Sequence, residues 1–453
     1  MKIAYIAAGA ADLYCGNCLR DHALALALRK IGADVTLVPT YTPLRTDLPQ
    51  GDEVEHSRLF FNGARTWLAQ KIGFFRRPRR FFDRVLGSRF VVDRLGRLRV
   101  STDASRLGDI TVSMLRGEDG HQRCELDLLA SWIAAEQPDV VHLSNALLLG
   151  MARRLRAAAG APVVCSLQSE DIFVDALVEP FRSEALALIA ERARDVDAFT
   201  AVSSYYAGYA SSRFAIDPAR ITVVLSGIAL DDAGTPRAPA VPRRREDGLT
   251  IGYLARMAPE KGLDLLMRAF AVLARRPGNE RLRLRAAGYL PNDRVGWVAA
   301  ERRRLAAAGL RRRVDVLGTI DRATKLEFLA SLDVLALPTR HVEPKGLSVF
   351  EGLAAGLPLV LPAHGTFPEI VERSSAGVLH APGDVDDLVR ALASVIDDDA
   401  LRHALAESAR RASREYFAPE RMARETLAVY RGLLAALRPD RSQSPVEESR
   451  SRE

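Results

Sequence analysis

Residues 333–351 read DVLALPTRHVEPKGLSVFE: an apolar run, a loop carrying Glu343, Pro344 and Gly346, and the opening of a helix. That order describes a buried parallel strand passing through a turn into a helix that covers the sheet. Pro344 and Gly346 set the turn, so the amides of Gly346, Leu347 and Ser348 become the donors at the helix start, where no acceptor within the helix is in reach. Such an end suits a diphosphate. Glu343 falls in the loop facing a cleft and Glu351 on the helix. Two carboxylates beside a phosphate site fit a neutral polyol between them, with Glu351 placed to accept from ribose hydroxyls.

Upstream the same strand–loop–helix order recurs in Gly252-Tyr-Leu-Ala-Arg256-Met-Ala-Pro-Glu-Lys261-Gly262. Arg256 offers a planar fork and Lys261 a mobile point charge, which together can neutralise a diphosphate leaving group as its charge grows. A solvated ion-bearing loop is the alternative for this pair. Working outward, strands are expected at 249–254, 281–286, 313–317, 333–337 and 357–361, with helices opening near Gly262, Asp293, Ala323 and Gly346. An earlier series is expected at 2–8, 34–39, 139–143, 162–167, 198–202 and 220–225. Alternating strands and helices of this kind build parallel sheets, so the fold class is α/β with two doubly wound, Rossmann-like domains facing a central cleft. Ligands in such folds lie at the carboxyl ends of the strands.

The domain boundaries follow from composition. Residues 1–230 form the first domain, the Pro-, Arg- and Gly-rich stretch 231–248 a linker, and 249–418 the second domain. A helix over 419–437, apolar at Met422, Val429, Leu433 and Ala436, is expected to dock on a domain, and the polar tail 438–453 to be disordered. An insert at 59–92 mixes Trp67, Phe74, Phe75, Phe81 and Phe82 with Lys71, Arg76, Arg77, Arg79 and Arg80. It reads as a packed lid, or as a contact with an anionic membrane or acceptor.

Lys and Arg exceed Asp and Glu by 64 − 57 = +7 over 453 residues, a balance that favours phosphorylated ligands or anionic surfaces. The basic residues scatter along helices with no nucleic-acid module among them, so no nucleic-acid partner is expected. The apolar run Ile3 to Ala8 is too short for a secretory signal, and a cytoplasmic protein, or one peripheral at the inner membrane face, is expected. Four cysteines make no disulfide framework. Cys15 and Cys18, in Cys-Gly-Asn-Cys between a strand and a helix, stand either as a redox or half-zinc motif or as loop packing. The acidic pair Asp195 and Asp197 has metal-binding spacing but sits between a helix and a strand, so neither a metal nor a cofactor is expected. There is no G-x-G-x-x-G after the first strand and no P-loop, which removes the common dinucleotide and triphosphate cradles.

The stretches 256–262 and 343–358, continued by Gly-Leu-Ala-Ala-Gly-Leu-Pro and by Pro368-Glu-Ile-Val, resemble the donor-site motifs of glycosyltransferase family 4, the retaining enzymes of GT-B fold. The resemblance implies an enzyme moving a hexose-type sugar from a nucleotide diphosphate-sugar to an acceptor, which is a glycan, a lipid or a small molecule. It implies that Arg256 and Lys261 bind the diphosphate, Glu343 the transferred sugar and Glu351 the ribose, with Gly16 near the phosphates. One departure is plain: where many members carry His-Gly or His-Asp after the fourth strand, this chain has Gln168-Ser169-Glu170-Asp171. The acceptor-side candidates are His142, Asn145, Gln168, Glu170 and Asp171, at strand ends expected to face the cleft, although a buried, hydrogen-bonded His142 fits as well. A nucleotide-sugar epimerase or phosphorylase-like relative, and a sugar-nucleotide-binding module without turnover, are the alternatives.

Overall fold

Strands covered by helices on both faces read as near-continuous runs of Val, Ile and Leu, and the two series of such runs make two sheets. The computed structural model describes residues 1–8, 16–40, 107–228 and 243–437. The first sheet holds β1 (Lys2–Ala7), β2 (Asp34–Pro39), β3 (Val140–Leu143), β4 (Val163–Leu167), β5 (Ala198–Ala201) and β6 (Ile221–Val223), in the order β2-β1-β3-β4-β5-β6. The second holds β7 (Thr250–Leu254), β8 (Arg283–Ala287), β9 (Val314–Gly318), β10 (Val334–Ala336), β11 (Leu359–Pro362) and β12 (Gly377–His380), in the order β12-β11-β10-β7-β8-β9. The pairings are parallel, with Tyr5 opposite Leu37 and His142 in the first sheet and Leu335 opposite Leu359 and Gly252 in the second. Strand order therefore reverses beside β1 and beside β7, which opens a crevice at their carboxyl ends.

β12 is an addition to the sequence expectation: Gly377–His380 is four residues, only His380 of it buried, so no apolar run announces it. Three of the four anticipated second-domain helices begin within one residue of the expected place, at Leu263, Arg322 and Leu347. The fourth opens at Val295 after a tight turn over Asn292–Arg294.

The long helix Pro419–Leu437 packs on the first sheet, placing Met422, Ala423, Leu427 and Tyr430 in one cluster with Ile3, Tyr5, Val35 and Val140. Its buried face matches the expected one in part, since Leu433 packs against that cluster too. Met422 is buried but Ala436 is exposed, and Thr426 and Tyr430 take the inner positions instead. Hydrogen bonding makes that burial affordable: Thr426 Oγ1 donates to Met422 O at 2.8 Å, and Tyr430 Oη lies 2.6 Å from His142 Nδ1.

Two close approaches set the cleft. Gly262, at φ +74°, ends a tight turn over Pro259–Lys261, and a Cβ there would lie 1.9 Å from Pro338 O. The loops after β7 and β10 thus touch backbone to backbone. Thr339 Oγ1 donates to Glu260 O at 2.9 Å, and Arg340 grips Asp264 with bonds of 2.8 and 2.6 Å. Across the cleft, a Cβ on Gly16 would fall 2.7 Å from Leu347 Cδ1, so a side chain there would push the tip of that leucine aside. Residues 231–242 of the expected linker 231–248, the insert 59–92, Cys15 and the tail 438–453 lie outside the described residues.

Candidate active site at the mouth of the two sheets

Loops leaving β1, β4, β7 and β10 converge on a cleft of about 220 Å³. The first sheet contributes Gly16, Ser169 and Ile172 to its wall, and the second contributes Arg256, Lys261, Glu343, Lys345, Gly346, Leu347 and Ser348. Sequence positions as far apart as 16 and 348 are brought within one hollow because each follows a strand at the same end of its sheet.

Lys261 Nζ stands 2.5 Å from Glu343 Oε2, with both side chains more than four-fifths shielded from solvent. Burial pushes the Glu343 carboxyl up, but the charge and hydrogen bond of Lys261, and then the charge of Lys345, outweigh it and hold the group below the usual glutamate range. It is an anion between two cations. Arg256 reaches out from the same loop, half exposed, and bonds Glu260 at 2.7 Å. The loop backbone is pinned from beneath by Tyr253, whose buried hydroxyl donates to Arg256 O at 3.1 Å and Lys261 O at 3.3 Å. Gly346, at φ +73°, caps the helix Leu347–Ala354, so the amides of its first turn point into the cleft.

Glu351 is placed elsewhere. It is buried on the same helix and its Oε1 lies 2.6 Å from Lys325 Nζ, with both side chains nearly enclosed. It is absent from the cleft wall.

The acceptor-side candidates also turn inward. His142 is fully buried between Tyr430 Oη at 2.6 Å and Ser166 Oγ at 2.8 Å, and stacks on Tyr5 at 4.5 Å. Burial, followed by the nearby charge of Arg20, holds its imidazole well below the ordinary histidine range. Asn145 caps the short turn Ala146–Met151 by accepting from Leu147 N at 3.0 Å. Gln168 Nε2 donates to Asp21 Oδ1 and to Ser144 O, both at 2.7 Å. Burial pushes that Asp21 carboxyl up to about 6, against the Arg20 charge and the bonds from Tyr5 and Gln168. Glu170 accepts from Gln168 N at 2.9 Å, Ala146 N at 3.1 Å and Tyr206 Oη at 2.7 Å. Asp171, half-buried, has its carboxyl raised by burial and its backbone N–H directed at Tyr206 Oη at 3.4 Å. Gln168, Glu170 and Asp171 brace the loop after β4, and what that loop offers the cleft is Ser169, held at φ +81°, with Ile172. A non-glycine residue in that conformation is strained by about 1–3 kcal/mol and persists where its surroundings fix it.

Sequence reading overlooked Ser169, Ile172, Thr339, Lys345 and Phe367 as cleft residues. Lys345 carried a signal, a cation beside the helix-opening Gly346, whereas Ile172 and Phe367 carried none. The acidic pair is occupied structurally: Asp197 accepts from Val163 N at 2.8 Å and pairs with Arg156, and Asp195 faces Arg192 at 3.9 Å. Among the described residues no cluster of His, Cys, Asp and Glu has the makings of a metal site.

Comparison with known proteins agrees with this arrangement. The model of glycosyl transferases group 1 matches residues 235–412, and that of glycosyltransferase family 4 matches 116–232. A D-inositol 3-phosphate glycosyltransferase of Nocardioides sp. is 30% identical over 319 residues, which is 66% of this chain and 68% of that protein. A glycogen synthase of Mycobacterium tuberculosis is 29% identical over 311 residues, 68% of this chain and 72% of its own length. In fold, a sucrose-phosphate synthase from Thermosynechococcus elongatus superposes with a TM-score of 0.67 at 17% identity, over 96% of this chain and all of the other. The Anabaena protein HepE in complex with UDP superposes at 0.65 and 17%, with the same coverage.

Proposed function

The chain belongs to the glycosyl transferases of group 1, family 4, and from that premise we propose that it moves a hexose-type sugar, with retention, from a nucleotide diphosphate-sugar to a hydroxyl acceptor. The observation that carries this reading is the meeting of Arg256, the Lys261–Glu343 pair and the helix start at Gly346 in one cleft. Cations and helix amides suit the diphosphate, and the adjoining carboxylate suits the sugar. As the bond from sugar C1 to phosphate oxygen breaks, its electron pair stays on the phosphate. The acceptor oxygen bonds C1 from the same face, and its proton passes to that phosphate oxygen. Lys261 and the amides stabilise the leaving group, and Glu343 lies against the ring as positive charge gathers there. Glu351 is assigned to the ribose, for which it would have to turn from Lys325, and the loop after β4 to the acceptor.

Solved neighbours held UDP and UDP-glucose, which makes UDP-glucose the first donor to try. Relatives named for glycogen and inositol phosphate make a glucan and a sugar or polyol phosphate the first acceptors. The test measures nucleoside diphosphate release with and without acceptor, in the presence of a chelator. Release that rises with acceptor and resists chelation is expected, because Arg256, Lys261 and the helix start supply the positive charge a metal would. Release that ignores acceptor would favour hydrolysis, and conversion of donor without release would favour the epimerase reading.

No helix among the described residues is long and apolar enough to cross a membrane. We propose a peripheral site at an anionic, cytoplasm-facing membrane, carried by the aromatic and basic residues of 59–92. Sedimentation with anionic vesicles should retain the chain, and charge reversal at Arg76, Arg77, Arg79 and Arg80 should release it. A chain that stays in solution at low salt lacks this attachment.

A further inference from the structure

The stretch Pro368-Glu-Ile-Val belongs to the family's pattern, yet none of the groups assigned to donor or acceptor lies in it. Glu369, in the first turn of the helix Phe367–Ser374, reaches across to the half of the molecule built on the first sheet. Its Oε2 accepts from Ser204 N at 2.9 Å and its Oε1 from Ser204 Oγ at 2.8 Å. The side chain is only 14% exposed, and Arg373 of the same helix lies 3.7 Å from it. Ser204 opens the helix Ser204–Phe214, and the residue before it makes a second bond across the cleft. Ser203 Oγ, fully buried, donates to Pro344 O at 2.8 Å while it caps the helix by accepting from Tyr206 N at 3.1 Å. The helix of Glu369 is tied to the same loop, because Thr366 N donates to Glu343 O at 2.9 Å and a Cβ on Gly365 would lie 2.4 Å from that carbonyl oxygen. Tyr206 Oη donates to Glu170 at 2.7 Å, and Glu170 holds the loop after β4 through Gln168 N and Ala146 N. One helix start therefore grips the loop of Glu343 on one side and the loop of Ser169 on the other.

We propose that Glu369 is a positioning residue for the transfer, and that it acts through the start of the helix Ser204–Phe214, a bridge that sets the loop of Glu343 and the loop of Ser169 in one register. The inference rests on reading the cleft as a nucleotide diphosphate-sugar site. A carboxylate that accepts from a backbone N–H and a hydroxyl at a helix N-terminus is favoured by its charge as well as by its two bonds. The Glu369 contact is therefore stronger than the neutral bond from Ser203 to Pro344. A diphosphate on the amides of Gly346 to Ser348 steadies the loop at Pro344, and the bridge passes that order to Ser169 and Ile172. Removing Glu369 leaves the diphosphate its own contacts and loosens the acceptor wall. A small misplacement of reacting groups is enough to slow a reaction whose catalysis depends on their orientation.

The experiment follows amide hydrogen exchange over residues 168–176 in wild type, Glu369→Ala, Glu369→Gln and Ser204→Pro, with and without UDP. GDP and ADP run in parallel, and the nucleotide that wild type binds sets the comparison. Ser204→Pro removes both donors at the first position of a helix, where proline is tolerated. Ser203 before it is already extended, as a residue preceding proline must be. In wild type the nucleotide should slow exchange at 168–176 ~10-fold, the worth of one hydrogen bond to a charged group. Glu369→Ala and Ser204→Pro should each cancel that protection while binding the nucleotide within about twofold of wild type, and Glu369→Gln, which keeps one acceptor oxygen, should fall between. The two main variants lie on opposite walls, so either one decides if the other folds poorly. Diphosphate release from the matching nucleotide-glucose is the second readout, with glycogen and inositol 3-phosphate as acceptor probes. Release with acceptor should fall ~10-fold in both variants, and release without acceptor should stay within about twofold. Protection absent from wild type or kept in both variants, or equal loss of the two kinds of release, would overturn the bridge while leaving the cleft's assignment intact. A wild type that binds none of the nucleotides overturns the assignment and this inference with it.

Discussion

Lys261→Met is expected to lower turnover by ~10²–10³-fold, the range for removing one preorganised donor from a developing oxyanion. Two effects add in that variant. The leaving phosphate loses a cation, and Glu343, 2.5 Å away and largely shielded from water, loses the partner that holds its charge. The carboxylate then faces an anionic diphosphate with only the more distant charge of Lys345 to offset it, which costs more than the lost bond alone. Glu343→Gln should itself cut turnover strongly, with modest change in nucleotide affinity, because its contact strengthens as charge grows on the ring. The decisive measurement is a double-mutant cycle. Lys261→Met/Glu343→Gln should be no slower than Lys261→Met by more than about threefold, since the second change removes the stranded charge that the first creates. If the two losses multiply, the residues act independently and the coupled reading is wrong. Arg256→Ala should lower turnover less, because Arg256 is half exposed and already engaged by Glu260.

Glu351→Gln is expected to destabilise the fold by about 3 kcal/mol, before any question of ligand arises. Glu351 and Lys325 form a pair at 2.6 Å with side chains only 7% and 11% exposed, and removing one partner of a buried pair takes a compensating charge from a place closed to water. Denaturation in urea should show the midpoint falling at unchanged slope. The double variant Lys325→Met/Glu351→Leu removes both charges and should recover most of that stability. It should still bind nucleoside diphosphate weakly if Glu351 also accepts from ribose. Recovery of both properties would make Glu351 a structural residue alone, and an unchanged midpoint in Glu351→Gln would show that the pair contributes little.

Much of the architecture is local and was legible. Apolar runs bounded by Gly, Pro and Asp mark their own strands, and the turn at Pro344 and Gly346 marks its own helix start, because backbone hydrogen bonding and burial period are properties of neighbouring residues. Hence Arg256, Lys261, Glu343, Gly346, Leu347 and Ser348 were found by reading along the chain, and the cleft gathers all of them. β12 escaped because a short, half-buried strand has no period to show.

What the sequence determined by itself is therefore the pair of parallel sheets and the ends of strands at which chemistry gathers. Tertiary structure alone decided which polar side chains at those ends face the hollow. His142 turns inward because Tyr430, 288 residues away, offers it a partner, and Glu351 because Lys325 does. Lys345 enters the cleft because Asn17 receives it across 328 residues of chain. A buried polar group goes where its hydrogen bond is satisfied, and in these cases the partner lies on an element that sequence distance does not bring near.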